Sequence, residues 1–281
     1  MSKWLFVKLQ HILPKLLITQ LFGYFASLKA GALTHFVIRR FIKQYNVDMN
    51  EALESKPSAF PTFNQFFTRE LRPGLRPLAN ADLICPVDGR ISQFGKIQKD
   101  QIFQAKGKSY SLNALLGGKD KTAVQYENGL FATVYLSPKD YHRIHMPCDG
   151  KLVSMSLVPG ALFSVNPTTV EGVDALFARN ERLVCHFESP NGPFVLILVG
   201  ATIVGSIATV WHGVVNQKRG SEVKTWTYEN QDISLKKGDE MGRFLLGSTI
   251  ILLTPPNTMA FNPSWEPMKL VKLGEEMLNI K

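Results

Sequence analysis

The stretch RLVCHFESPNGPFVLILVGATIVGSIATVW, residues 182–211, decides the fold class. Two apolar runs rich in Val, Leu, Ile and Phe flank SPNGP, a cluster of turn-forming residues. The segment therefore reads as buried strands joined through a hairpin. Similar short runs recur on both sides: LICPVDGRISQFGKI (83–97), GLFATVYLSP (129–138), KLVSMSLVPG (151–160) and GSTIILLTPP (247–256). Gly, Pro, Asn and Asp punctuate them without a strand–helix–strand rhythm, which argues against a parallel doubly wound sheet. The expected class is α+β, with a β-rich, mostly antiparallel core over residues 79–281. The polar stretch 214–240 reads as a mobile hairpin or loop.

Residues 1–78 have a different texture. Within 1–47 stand Lys3, Lys8, Lys15, Lys29, Arg39, Arg40 and Lys43 and no acid, against a formal net charge of +9 for all 281 residues. The same segment holds Trp4, Leu5, Phe6, Leu9, Ile12, Leu17, Leu21, Phe22 and Phe25. Only 13 residues separate Lys15 from Lys29, too few for a spanning helix, which needs roughly 20 apolar residues. Pro14 splits the stretch and suits the start of a second helix. Leu33, Phe36, Val37 and Phe41 then recur at helical spacing. These features predict two or three helices lying on an anionic membrane surface; the alternative is a helical hairpin packed on the protein's own core. An arm for nucleic acid would not need so many large apolar groups, and no nucleic-acid-binding module is recognisable. Cys85, Cys148 and Cys185 are odd in number and lack a CxxC pair, as expected for reduced thiols in a cytoplasmic setting.

Three short segments could carry chemistry. In GRFLLGSTIILL (242–253) an apolar strand is broken by Gly247-Ser248. A serine Oγ can attack the preceding carbonyl carbon and turn the peptide into an ester. Glycine at the attacked position removes the Cβ obstacle and permits unusual backbone angles. A base must take the proton. Elimination from the ester then leads, through dehydroalanine, to a pyruvoyl group. The plain alternative is a strand glycine at a bulge with a serine beside it. In YLSPKDYHRIHMPCDG (135–150), His142 and His145 would share a face if the segment made a helical turn. They read as a base and its helper; a zinc site with Cys148 is opposed by Pro147 and by the lack of a fourth ligand. No metal is expected. In CPVDGRIS (85–92), Asp88-Gly89 is a common turn dipeptide; its carboxylate could also orient an imidazole. Asp88, His145 and Ser248 would then form a triad, since triads follow geometry and not chain order.

DYHRIHMPCDG, PGALFSVN, LFARNERLV, VGATIVGSI and KGDEMGRFLLGSTI together resemble the bacterial phosphatidylserine decarboxylase family, and FNQFFTRELRPGLRP (63–77) is similar to the segment ahead of that family's core. The resemblance runs from the first helix to about residue 254. It implies that Ser248 attacks the Gly247 carbonyl, that His145 is the base and that Asp88 orients it. The products would be a β chain, residues 1–247, and an α chain, residues 248–281, whose first residue becomes a pyruvoyl group, a covalent cofactor. The implied activity is decarboxylation of phosphatidylserine to phosphatidylethanolamine through a Schiff base, with His142 near the substrate carboxylate or protonating the product. The implied setting is peripheral, on the cytoplasmic face of the inner membrane, with a homodimer expected. Two rival readings stay open. A serine hydrolase would keep the chain intact, but no G-x-S-x-G elbow surrounds Ser248. A non-catalytic membrane-binding protein would be indifferent to loss of Ser248.

Overall fold

The computed structural model describes residues 2–118, 122–203, 206–216, 219–245, 248–256 and 259–280. Its centre is a nine-stranded antiparallel sheet. In spatial order the strands are Lys224–Thr227, Gly150–Val158, Arg182–Glu188, Phe194–Val199, Ser248–Thr254, Leu130–Leu136, Gly89–Lys96 and Leu270–Val271, with Ser234–Leu235 also paired to Gly150–Val158. The SPNGP hairpin forms as expected: Ser189 Oγ donates to Gly192 O at 2.6 Å, and Gly192 takes φ +99°. Every residue of Phe194–Val199 is buried. Both faces of this strand are covered, which is why its sequence is continuously apolar rather than alternating. The second apolar run does not continue as one strand. It ends at Val199 and resumes as Ile207–Thr209 in another sheet.

That second sheet has four strands, in the order Gly213–Val214, Ile207–Thr209, Glu240–Phe244 and Arg143–His145. A Cβ on Gly242 would meet Ala208 O at 2.5 Å, so glycine there allows Ile207–Thr209 to approach closely. Gly89 does the same in the large sheet, where a Cβ would meet Tyr135 O at 2.5 Å. Asp88-Gly89 thus marks the start of a tightly paired strand, not the simple turn its composition suggests. The polar stretch 214–240 also differs from a loop: Lys224–Thr227 and Ser234–Leu235 both pair with Gly150–Val158, extending the large sheet at its edge.

Arg182 opens its strand yet is only 2% exposed. Its guanidinium donates to the carbonyls of Ala114, Leu115, Ala178 and Asn180. It caps the ends of the short helices Leu112–Leu115 and Leu176–Arg179, whose last carbonyls lack helical partners. Burial lowers its pKa to about 10, which leaves it charged at neutral pH.

Three helices form at the N-terminus: α1 (Lys3–Ile12), α2 (Lys15–Ser27, with Pro14 at its N-cap) and α3 (Ala32–Tyr45). A short helix, α4 (Phe63–Phe67), follows. The first three helices are patterned inside out. Their buried residues include Gln10, Thr19 and Thr34, whereas Trp4, Ile12, Leu17, Phe22, Phe25, Leu33 and Phe36 are exposed. Gln10 Nε2 donates to Thr169 Oγ1 at 3.0 Å and its Oε1 accepts from Ser164 N at 2.9 Å. Thr19 Oγ1 accepts from Ile203 N at 3.0 Å. Hydrogen bonds therefore anchor α1 and α2 to the β body, whereas among the described residues Thr34 bonds only Ala30 N and Leu28 O and α3 docks through Ile38 against Val47, Phe60 and Phe66. Among the described residues no single helix is long and apolar enough to cross a membrane. Cys85, Cys148 and Cys185 are buried and free.

Candidate active site

The site is built where the two larger sheets meet. Strand Glu240–Phe244 pairs with Arg143–His145, and Phe244 N donates to His142 O at 3.1 Å. Four residues after Phe244, the chain enters the centre of the nine-stranded sheet as Ser248–Thr254. There Ser248 pairs with Leu136, and Thr249 pairs with Tyr135 and Val199. The expected single apolar strand through Gly247-Ser248 is thus two strands in two sheets, and the junction falls between them. Gly247 itself lies outside the described residues.

His142 and His145 do not share a helical turn. His145 ends the strand Arg143–His145 and His142 immediately precedes it. Backbone pairing brings this strand to the Asp88 segment, since His145 N donates to Pro86 O at 2.9 Å. The two imidazoles are fixed in the same tautomer. His145 Nδ1 lies 2.7 Å from Gly238 O, and His142 Nδ1 lies 2.8 Å from Asp140 O. A carbonyl can only accept, so both Nδ1 atoms carry the proton and both Nε2 atoms present lone pairs. His145 Nε2 accepts from the Tyr141 hydroxyl at 3.0 Å. His142 Nε2 is buried without a partner among the described residues. Burial lowers the pKa of His145, opposed by its bond to Gly238 O and by the charges of Glu240 and Asp88. Burial, with Arg69 nearby, lowers that of His142 to about 3. Both rings are therefore neutral at pH 7.

Asp88 does not contact His145. Its Oδ1 accepts from Leu273 N at 2.9 Å and Arg76 Nε at 3.0 Å, and its Oδ2 from Arg76 NH2 at 2.5 Å. Arg76 also reaches Glu51 at 2.6 Å. The expected hydrogen bond from Asp88 to the imidazole is replaced by a bond to the Gly238 carbonyl, and Asp88 acts on His145 only as a nearby charge. Cys148 is also held elsewhere, beside Ser189. Among the described residues no three His, Cys, Asp or Glu gather as metal ligands.

Sequence reasoning missed Tyr141, Arg69 and Arg76. All three sit inside DYHRIHMPCDG and FNQFFTRELRPGLRP, so the signal was present. Their roles needed the fold, because Arg69 is linked to Lys139 O across 70 positions of chain.

The sequence model described as phosphatidylserine decarboxylase matches residues 63–279. The chain belongs to the phosphatidylserine decarboxylase family. A second model, described as PSD, matches residues 5–46. A phosphatidylserine decarboxylase proenzyme of Variovorax paradoxus is 63% identical over 271 residues, 96% of each chain. One of Dechloromonas aromatica is 61% identical over 277 residues, 99% of this chain and 98% of its own. One of Chromobacterium violaceum is 60% identical over 278 residues, 99% of each. The two matched regions of this decarboxylase family chain correspond to the N-terminal helices and to the body that carries the histidines.

Proposed function

We propose that this protein is a self-processing phosphatidylserine decarboxylase, cut between Gly247 and Ser248 and acting on lipid at a membrane surface. One observation carries the reading: the strand bonded to His142 runs, within three residues, into Gly247-Ser248 at the head of a central strand. The ~60% identical proenzymes point to the same chemistry.

In the self-cleavage, Ser248 supplies the hydroxyl, Gly247 the attacked carbonyl and His145 Nε2 the acceptor for the hydroxyl proton. The Gly238 carbonyl keeps that nitrogen unprotonated, and Tyr141 must turn aside from it. Asp88, tied to Arg76, favours the imidazolium that forms by its charge alone. The chain would part into residues 1–247 and 248–281. A pyruvoyl group made from Ser248 fits these surroundings: the strand is held by neighbours on both sides, and the buried His142 Nε2 has no partner among the described residues. Its ketone would supply the electron sink for the pair left by departing CO₂. His142 Nε2 would accept the proton shed by the substrate amine and return it to the carbon that lost CO₂.

The N-terminal helices would bring the site to its lipid. Their outward apolar residues enter the headgroup boundary, and seven basic residues meet anionic lipid, phosphatidylserine included. Peripheral attachment to the cytoplasmic face of the inner membrane follows from this reading. A homodimer carries over from the family resemblance and is checked by sedimentation of the solubilised protein. Intact-mass measurement of the purified protein, paired with decarboxylation of phosphatidylserine vesicles, tests the whole reading. Two chains split at 247/248 and ethanolamine lipid as product are expected; an active protein of one unbroken chain overturns it.

A further inference from the structure

Arg69 is a buried cation that the chemistry above does not use. It follows α4, is 6% exposed, and has no carboxylate within ion-pair distance among the described residues. Its NH2 group donates to Lys139 O at 2.9 Å, and its Nε is buried with no acceptor among the described residues. Three carboxylates stand around it at longer range: Glu51, Asp140 and Asp88. Each is engaged elsewhere, Glu51 and Asp88 with Arg76 and Asp140 with Ser137 N. An unpaired buried donor is unfavourable, and buried guanidinium groups are usually well bonded.

His142 supplies the complement. It packs on Phe67 with ring centroids 4.1 Å apart, two residues before Arg69, and its Nδ1 donates to Asp140 O, next along the chain from the Lys139 carbonyl that Arg69 holds. A lone donor, Arg69 Nε–H, and a lone acceptor, His142 Nε2, thus stand in the same buried neighbourhood. A simple anion would satisfy the first and be repelled by the lone pair of the second. A zwitterion, with an oxyanion and an ammonium a few bonds apart, satisfies both. We propose that Arg69 and the open nitrogen of His142 form the binding site for an amino-alcohol phosphodiester headgroup, with Arg69 on the phosphodiester oxygen and His142 on the amine. This rests on the reading of the protein as a phosphatidylserine decarboxylase.

Arg69 pairs with the phosphodiester and not the carboxylate for an energetic reason. The phosphodiester keeps its charge throughout, so binding it is neutral to the chemical step. A carboxylate held by a guanidinium would lose that partner interaction as CO₂ forms, which raises the barrier. Access also has a structural route. α4 contacts α2 and α3, the helices with outward apolar faces, so headgroup site and lipid surface adjoin. Strand Glu240–Phe244, bonded to His142 O, ends three residues before the proposed cut, and cleavage would release its C-terminal tether.

The test uses processed enzyme with phosphatidylserine in mixed micelles and glycerophosphoethanolamine, which has the phosphodiester and amine but no carboxylate, as inhibitor. Arg69→Gln should raise both KM and the inhibition constant by about tenfold to a hundredfold, the loss of one charge-assisted hydrogen bond. Its kcat should stay within a few-fold, and Arg69→Lys should recover part of the affinity. Should Arg69→Gln fail to fold or process, Arg69→Lys decides by its own rise in the inhibition constant. An unchanged inhibition constant overturns the proposal. With KM raised it would move Arg69 to the carboxylate; with kcat alone lowered it would reduce Arg69 to support of the 139–142 loop. If the wild-type protein processes but releases no CO₂ from phosphatidylserine, the decarboxylase reading fails first, independently of Arg69.

Discussion

The N-terminal helices and the nine-stranded sheet solve opposite problems with similar residues. In the sheet, Ile197, Leu198, Ile250, Leu252 and their neighbours are wholly buried. In α1–α3, Trp4, Ile12, Leu17, Phe22, Phe25 and Leu33 face outward, while Gln10 and Thr19 bond the β body and, of the apolar residues, Ala26 and Ile38 are buried. A helix docked on a soluble core shows the reverse pattern. Apolar area exposed on this scale is stable when another apolar phase covers it, and the basic residues interleaved with it suit a lipid interface. The contrast shows that hydrophobicity alone does not say inside or outside; the location of the hydrogen-bonding groups does.

The sharpest way to break this comparison lies at the junction of the sheets. Ser248→Ala should leave one uncut chain with no decarboxylase activity, seen by denaturing mass spectrometry and CO₂ release. His145→Ala should also block cutting; His142→Ala should cut and then decarboxylate poorly. Normal activity in the latter removes His142 from the reaction.

Next in size, the two regions should respond differently to truncation. Leu252→Ala removes a fully buried side chain and should cost roughly 2–5 kcal/mol in denaturant unfolding. Phe22→Ser and Leu17→Ser should move stability by only about 0.5 kcal/mol, as surface changes do. Both should weaken binding to anionic vesicles, measured by flotation, while Leu252→Ala should leave vesicle binding per folded molecule unchanged. Equal vesicle binding by all three breaks the comparison.

Acid should act through the histidines. Both have folded-state pKa values below the ordinary 6.5, His142 at about 3. The unfolded chain therefore binds more protons in this range. Their contribution is fully present above about pH 6.5 and is lost as pH falls below it, by up to about 1.4 kcal/mol per pH unit for each ring. Between pH 6.5 and 5, His142→Phe should flatten the loss of unfolding free energy; an unchanged slope refutes the burial.

A further test lies at the seam between the two regions. Gln10→Ala leaves Ser164 N without its acceptor and should lower stability by about 1–3 kcal/mol if the helix stays docked. If α1 lifts into solvent the effect shrinks toward zero, and loss of amide protection at Ser164 distinguishes the two.

The strand runs, the SPNGP hairpin, the three basic helices and the histidine motif were legible in the sequence. Each is a local pattern of apolar spacing and turn chemistry, which neighbouring residues dictate. The break of GRFLLGSTIILL into two sheets was not legible, because a continuous apolar run carries no mark of which strands lie beside it. The assignment of partners also needed the tertiary structure. Asp88 bonds Arg76 and Leu273 N, His145 bonds Gly238 O and Tyr141, and Arg69 keeps a donor without an acceptor among the described residues, because a polar group takes whichever partner the fold brings within reach. Residue types and their order thus determined which chemistry this chain could perform. Only three-dimensional packing decided which nitrogen carries its proton, which carboxylate is already spent, and which apolar faces stay exposed.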